Sequence, residues 1–126
     1  GVYNKMRTIK FRLIKDNKIV STQELKPNGI IDCPVEWDTA YQFTGLLDKH
    51  NKEIYEGDIV KMLDEYIDHY TLYSNHQIEF GSGVFRLENG VSLFDCLDEN
   101  TDFERCEFEI IGNIYENPEL LKGDPK

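Results

Sequence analysis

The 126-residue sequence has no long hydrophobic run. Apolar residues occur in pairs such as Ile59-Val60 and Ile110-Ile111, but three never follow one another. A membrane-spanning helix needs about twenty consecutive apolar residues, and the core of a secretory signal needs about seven. A parallel sheet buried on both faces also needs strands that are continuous apolar runs. We therefore expect a cytoplasmic protein with neither a membrane span nor an export signal, and we do not expect a doubly wound α/β fold.

Cysteine is also scarce. The three thiols, Cys33, Cys96 and Cys106, are scattered and include no C-x-x-C pair. An odd number of scattered thiols is typical of reduced, mostly buried cysteines. A structural zinc site usually shows closely spaced ligand pairs, which the histidines lack (His50, His69 and His76). The sequence therefore predicts no metal site and no cofactor.

Basic residues are outnumbered, with 14 Lys and Arg against 24 Asp and Glu and a net charge of −10. Because this charge repels phosphate backbones, direct nucleic-acid binding is not expected. The imbalance is uneven: residues 1–20 hold six basic residues against one acidic residue, whereas residues 51–126 hold six against eighteen. A basic first segment can therefore meet an acidic surface, either within the chain or on a neighbouring copy.

Alternation of apolar and polar residues predicts a mainly β protein with antiparallel strands. In the first strand, one face is predicted to be buried (Ile9, Phe11 and Leu13) and the other solvated (Thr8, Lys10 and Arg12). A turn at residues 15–18 leads to a return strand that begins with Ile19-Val20. These strands predict an N-terminal β-hairpin region over residues 1–37.

Two motifs predict turns from their proline and glycine residues. Pro27-Asn28-Gly29 combines a fixed proline φ with residues that tolerate positive φ. Glu56-Gly57-Asp58 is a tight reversal, because only glycine enters left-handed space without strain. Between these turns, residues 31–37 alternate apolar and polar side chains, and Pro34 places this predicted strand at a sheet edge.

The second half of the chain predicts more hairpins. Gly81-Ser82-Gly83 turns one of them, and Asn89-Gly90 predicts a type I′ turn in the next, followed by a strand over residues 91–97. The last strand covers residues 106–110. Asn117-Pro118 then begins a short C-terminal helical turn, with asparagine as the cap and proline at the first position.

Residues 62–73 fit helical and strand spacing equally well, and we treat about 62–76 as a variable, exposed excursion. Tyrosines recur here and through the β-rich part of the chain. They could form a stacking or peptide-binding surface, because tyrosine is favoured at interfaces. Alternatively, they pack a core with their hydroxyl groups reaching solvent.

No catalytic motif is present. Asp98, Asn100 and Asp102 fit the first ligand positions of a calcium loop, but Phe103 stands where glycine is required and Glu109 lies in a predicted strand. These acids are better interpreted as a solvated loop. We therefore expect no catalytic residue and no enzymatic activity.

Three segments carry a resemblance to a known family. They are Gln42-Phe43-Thr44-Gly45-Leu46 with Asp48-Lys49, then Lys52-Glu53-Ile54-Tyr55-Glu56-Gly57-Asp58-Ile59-Val60, and finally Glu109-Ile110-Ile111-Gly112-Asn113-Ile114-Tyr115-Glu116-Asn117-Pro118-Glu119-Leu120-Leu121. These segments resemble the YopX family of phage and prophage proteins, and the opening Met6-Arg7-Thr8-Ile9-Lys10-Phe11-Arg12 is similar to that family's start. The chain departs from the family at His50-Asn51, where the family usually has Asn-Gly, and it lacks the usual Trp-Asp at residues 13–16.

The resemblance implies a β-rich fold with a small SH3-like barrel, which we place at residues 38–126, expression in a bacterial cytoplasm, and self-association. It implies no established activity, so no catalytic residue is transferred. Tyr55, Glu56, Asp58 and Tyr115 lie inside the shared motifs and are the candidate binding residues. Shaping the local turn is the alternative role for them.

Three hypotheses about function follow. The first is a non-enzymatic phage accessory protein that associates with a host or phage protein, or with itself as a homo-oligomer. The second is an acidic inhibitor that mimics DNA and occupies a host nucleic-acid-binding protein. The third and least favoured is a metal-dependent hydrolase that uses the acids between residues 98 and 109.

Overall fold

A computed structural model describes residues 8–67, 70–101 and 104–121. The fold is mainly β and antiparallel. Its strands are β1 (Lys10–Lys15), β2 (Lys18–Glu24), β3 (Thr39–Leu47), β4 (Glu53–Tyr55), β5 (Asp58–Ile67), β6 (Tyr70–Gly81), β7 (Val84–Leu87) and β8 (Glu109–Asn113). Two short 3₁₀ helices cover Leu93–Cys96 and Pro118–Leu121.

The strands form two four-stranded sheets. The first has the order β2-β1-β3-β4 and the second the order β7-β6-β5-β8. The pairings among the described residues leave both sheets open, so the SH3-like barrel stays a prediction. None of the helices in those residues has the length and apolar content of a membrane span.

Three of the predicted tight turns are confirmed. Asp16 and Asn17 both have positive φ, at 51° and 63°, and form the two-residue loop between β1 and β2. Ser82 and Gly83 do the same between β6 and β7, with φ of 52° and 80°. Gly57 has a φ of 89° at the reversal between β4 and β5. Each turn forms where the sequence supplies a residue that tolerates left-handed backbone.

The predicted faces of β1 need correction. Leu13 is fully buried, but Ile9 is 42% exposed, and Ile14, the next residue along β1, is buried as well. Lys10 and Arg12, predicted to be solvated, are instead half-buried against the rest of the molecule. Long cationic side chains bury their aliphatic stems readily when their charged ends find partners.

The predicted edge strand at residues 31–37 is absent, since this segment consists of bends and irregular backbone. Pro34 has no N–H group to donate to a strand ladder. The backbone hydrogen bonds of the preceding residues 26–30 are local: Lys26 N–H donates to Ile30 O at 3.1 Å, and Gly29 N–H donates to Lys26 O at 2.8 Å. The second of these bonds closes the predicted Pro27-Asn28-Gly29 turn.

The predicted strand at residues 91–97 is also wrong. Ser92 Oγ accepts the N–H of Phe94 and caps a 3₁₀ helix that turns Leu93 and Cys96 into the core. The preceding turn is not type I′, because only Gly90 has positive φ. Its closing bonds run from Gly90 N–H to Leu87 O and from Leu87 N–H to Val91 O, and they give a three-residue loop between antiparallel segments.

The ambiguous residues 62–76 belong to the longest hairpin. β5 runs to Ile67 and β6 starts at Tyr70. The pairing of β5 with β8 ends at Lys61, so the remaining part of the hairpin has only two strands in the described residues. We call this part, residues 62–67 with 70–74, the ribbon.

The main core lies on one face of the second sheet, where fully buried side chains of several strands meet the first 3₁₀ helix. Its members are Ile54, Val60, Ile78, Leu87, Leu93, Cys96, Cys106 and Phe108. Burying each large apolar side chain contributes roughly 1.5–3 kcal/mol. Ile59 is also fully buried beside Val60, so β5 is covered on both faces at this point. The cysteines are free thiols, two of them buried, as predicted.

Candidate functional site

Arg12 of β1 stands at the centre of a polar contact between the two sheets. Its Nη1 donates to Asp58 Oδ1 at 2.5 Å and to the Tyr115 hydroxyl at 3.0 Å. Its guanidinium also lies over the Tyr55 ring, 4.1 Å from the ring centroid. The Arg12 side chain is only 15% exposed. Arg12 therefore joins the N-terminal hairpin to strands on both sides of the reversal at Gly57.

The carboxylate of Asp58 is fully buried beside this arginine. Its Oδ2 accepts the backbone N–H of Tyr55 at 2.8 Å, which closes the reversal that the sequence predicts. Burial raises the pKa of Asp58, and the Arg12 charge and the Tyr55 N–H oppose that rise. The buried ion pair and the turn bond thus share one carboxylate.

Two tyrosines cover the reversal. Tyr115 stacks on Tyr41 of β3, with 5.2 Å between ring centroids and 20° between ring planes. A Cβ added to Gly57 would lie 3.4 Å from both rings, which is ordinary van der Waals contact, so it is the positive φ that favours glycine here. Burial raises the pKa of Tyr115 to about 12. Its hydroxyl therefore stays protonated at neutral pH.

A second cation of β1 adds to this contact. Lys10 Nζ forms an ion pair with Glu53 of β4 and lies 4.9 Å from the ring centroid of Phe43. Glu53 also accepts the Tyr55 hydroxyl at 3.1 Å. The two basic side chains at the centre of β1 are therefore neutralised within the chain.

The structure brings together three of the four candidate binding residues. Tyr55, Asp58 and Tyr115 surround Arg12, whereas Glu56 enters through its backbone, with its N–H donating to Gln42 O at 2.9 Å. The Glu56 side chain takes part in none of the cluster's contacts among the described residues. The sequence reasoning missed Arg12, because an alternating pattern assigns every arginine to the solvent face. A binding role for the four residues stays a prediction.

Asp48 is a further residue that the sequence reasoning left without a role. It is fully buried, and its carboxylate accepts backbone N–H bonds from His50, Lys52 and Ile110 at 2.8 Å, 2.9 Å and 3.0 Å. Asn51 takes a positive φ of 65° in this turn, at the site where the resemblance to the family departs. Asp48 therefore fixes the turn at residues 48–52 against β8.

Three hydrogen-bonded side chains, those of Ser74, His76 and Glu88, follow the order of a hydrolase triad. Ser74 Oγ lies 2.7 Å from His76 Nε2, and His76 Nδ1 lies 3.0 Å from a carboxylate oxygen of Glu88. Ser74 sits within the regular ladder opposite Met62, and the Glu88 side chain is 40% exposed. Acyl transfer also requires donors aimed at the developing oxyanion. Ser74, His76 and Glu88 supply a hydroxyl group and a base, which are only part of what acyl transfer requires.

The predicted acidic loop is only partly described, since Asp102 and Phe103 lie outside the described residues. Asp98 Oδ1 accepts the N–H of Asn100 at 2.9 Å, as in a local turn. Glu109 lies in β8, 3.3 Å from His50 Nε2. Within the residues that the structure describes, no three His, Cys, Asp or Glu side chains converge as metal ligands would.

An apolar groove of about 700 Å³ lies between the two sheets. Its lining includes residues 42–47 of β3, Lys10 and Glu53. Four large apolar side chains that border it are exposed, with Phe94 at 65%: Ile9, Phe80, Val84 and Phe94. Phe80 packs edge-on against Phe85, with 4.9 Å between ring centroids. The groove therefore exposes aromatic side chains.

The chain belongs to the YopX family, since the model of that family, described as YopX protein, matches residues 2–122. The chain is similar to a solved structure described as the crystal structure of protein EF1440 from Enterococcus faecalis. The two share 26% identity and a TM-score of 0.50, over 91% of this chain and 97% of the other. No curated protein matches the chain.

Proposed function

We propose that this member of the YopX family acts without catalysis, by associating with protein surfaces, and that it forms a homo-oligomer. The observation that carries the proposal is the grouping of exposed large apolar side chains. Single exposed apolar residues are ordinary on a protein surface, but contiguous groups mark interaction sites. A phage or prophage origin and a location in the bacterial cytoplasm belong to the same proposal, on the strength of the family resemblance.

The groups lie at three places in the fold. The first is the N-terminal hairpin with the loop that follows it (Ile19, Val20, Ile30, Val35 and Trp37). The second is the ribbon (Leu63 and Tyr73), and the third is the rim of the apolar groove. Each group combines apolar area with neighbouring charged residues, as interface rims do.

Charge asymmetry alone does not support the proposal. The expectation that the basic first segment meets an acidic surface is met partly inside the chain, where Lys10 and Arg12 pair with Glu53 and Asp58. The apolar groups therefore provide the main support for association.

Static light scattering at several protein and salt concentrations tests the proposal. We expect the weight-average mass to rise with protein concentration, because association follows mass action. High salt should change the association more weakly than dilution does if apolar contacts dominate. A monomeric mass at every protein and salt concentration would contradict the proposed homo-oligomer.

A further inference from the structure

We propose that a small cavity beside the first 3₁₀ helix binds a lysine or arginine side chain of a partner protein, an assignment that rests on the association with protein surfaces proposed above. The cavity has a volume of about 130 Å³. It lies where the pairing of β5 with β8 ends, next to Lys61 and Glu109. Residues of β5, of the helix and of the segment before β8 form its lining (Met62, Leu63, Asp95, Cys96, Glu107 and Phe108).

Most of this lining is apolar and is held by the core. Cys96 and Phe108 are buried members of the main core, and Met62 packs against that core. Glu107 N–H donates to Cys96 O at 2.9 Å, so the helix and the segment before β8 are joined beside the cavity. The cavity is therefore present before any partner binds.

The size of the cavity indicates the kind of occupant. Pockets for drug-sized molecules and cofactors usually measure about 300–1,000 Å³. At about 130 Å³ the cavity is too small for such a molecule, but it can admit the end of one side chain. Lysine and arginine bury their aliphatic stems against apolar surface while their charged ends stay at polar groups. A long basic side chain therefore suits a cavity that combines an apolar lining with two carboxylates.

The two carboxylates are available to a cation. Asp95 and Glu107 are exposed, and within residues 8–67, 70–101 and 104–121 neither side chain has a hydrogen bond or an ion pair. The neighbouring Lys49 and Lys61 pair with neither of them in that part of the chain. Both carboxylates act on one thiol, since the pKa of Cys96 is raised to about 11 by burial first and then by their charges. A basic side chain would thus supply a counter-ion that the described residues do not.

The methyl NMR signal of Met62 tests the assignment. The sequence has two methionines, so labelling of methionine methyl groups gives two signals, and Met62→Leu identifies the signal of Met62. The probe is the blocked tripeptide alanyl-lysyl-alanine amide. Its analogue with norleucine in place of lysine keeps an aliphatic stem but has no ammonium group. We expect the lysine peptide to shift the Met62 signal saturably and the norleucine peptide to leave it unchanged.

Charge variants separate the two carboxylates from the apolar lining. Asp95→Asn combined with Glu107→Gln should weaken binding of the lysine peptide roughly fivefold, because exposed ion pairs each contribute modestly. The matched control combines Glu36→Gln with Glu99→Gln, which removes two exposed charges outside the cavity, and it should bind like the wild type. Circular dichroism and an unchanged Met62 signal without peptide check that each variant keeps its fold.

Three results would each overturn the assignment: equal shifts with the two peptides, equal binding by the wild type and the Asp95/Glu107 variant, or no shift with the lysine peptide. None of them changes the mass measured by light scattering, so the proposed self-association would stand. A wild type that stays monomeric and binds the lysine peptide would support this assignment and contradict the homo-oligomer.

Discussion

Arg12 shows at the residue scale how one polar side chain can connect two sheets. Its guanidinium meets a carboxylate, a hydroxyl group and an aromatic face, which come from segments far apart in the sequence. A buried ion pair often adds little compared with an apolar pair of the same shape, but removal of one partner leaves an uncompensated charge. The contact therefore fixes the position of the hairpin even if its net contribution to stability is small.

Replacing Asp58 tests this contact. We expect Asp58→Ala to lower the free energy of unfolding by about 3 kcal/mol, because Arg12 would stay buried without its carboxylate. Urea unfolding measures the change. Glu79→Ala is the matched control, since it breaks the half-exposed pair with Arg86 and should cost less than about 1 kcal/mol. Equal losses in the two variants would show that burial of the Arg12 pair has no special effect.

The raised pKa of the Tyr115 hydroxyl group leads us to expect that the fold loses stability at alkaline pH. Its pKa is raised to about 12 in the fold, from 10.0 for an ordinary tyrosine. As the pH rises above 10, the unfolded chain loses this proton first, so unfolding becomes more favourable. For this group the loss is about 1.4 kcal/mol at pH 11. The buried thiols of Cys96 and Cys106, with pKa values raised to about 11 and about 12, act in the same direction.

The Tyr115→Phe variant separates the contribution of the Tyr115 hydroxyl group to this pH dependence from the contribution of the thiols. Unfolding free energies at pH 8 and pH 11 should differ less in this variant than in the wild type, because the variant has no hydroxyl proton to lose. The same pH dependence in both proteins would contradict the assignment of this titration to Tyr115.

At the scale of the elements, the sequence was most informative where a turn depends on one residue's backbone. The reversals at Asn17, Gly57 and Gly83 were predicted, and each contains a residue with the positive φ that few residue types tolerate. The segment at residues 91–97 was mispredicted because the capping hydroxyl of Ser92 competes locally with a strand pattern. Arg12 was assigned to solvent because its partners lie 46 and 103 residues away, beyond any local pattern.

The turn at residues 48–52 gives a prediction for a single element. Asp48→Ala removes the acceptor of three backbone N–H bonds in a buried position. We expect a loss of roughly 2–3 kcal/mol in the free energy of unfolding, because those donors would lose their partner. Asp98→Ala provides the comparison, since its side chain accepts one turn N–H near the surface. A smaller loss for Asp48 than for Asp98 would refute the anchoring role.

At the scale of the whole molecule, we propose that surfaces, and not reacting groups, carry the function. The hydrogen-bonded residues Ser74, His76 and Glu88 are the part of the structure most able to contradict this proposal. We expect purified protein to hydrolyse p-nitrophenyl acetate no faster than Ser74→Ala or His76→Ala, because these three residues supply only a base and a hydroxyl group, whereas acyl transfer also needs donors aimed at the developing oxyanion. A fluorophosphonate probe should not label Ser74. Turnover that disappears in Ser74→Ala would establish an esterase and end the non-enzymatic proposal.

Hydrogen–deuterium exchange at low and at high protein concentration tests the central claim most directly, since it reports association and its location together. We expect slower exchange at high concentration in the amides of at least one of the three exposed apolar groups: β2 with the loop that follows it, the ribbon, and the rim of the apolar groove. The core strand amides at Val60 and Ile78 should exchange equally at both concentrations. Identical exchange throughout the chain at the two concentrations would contradict the account.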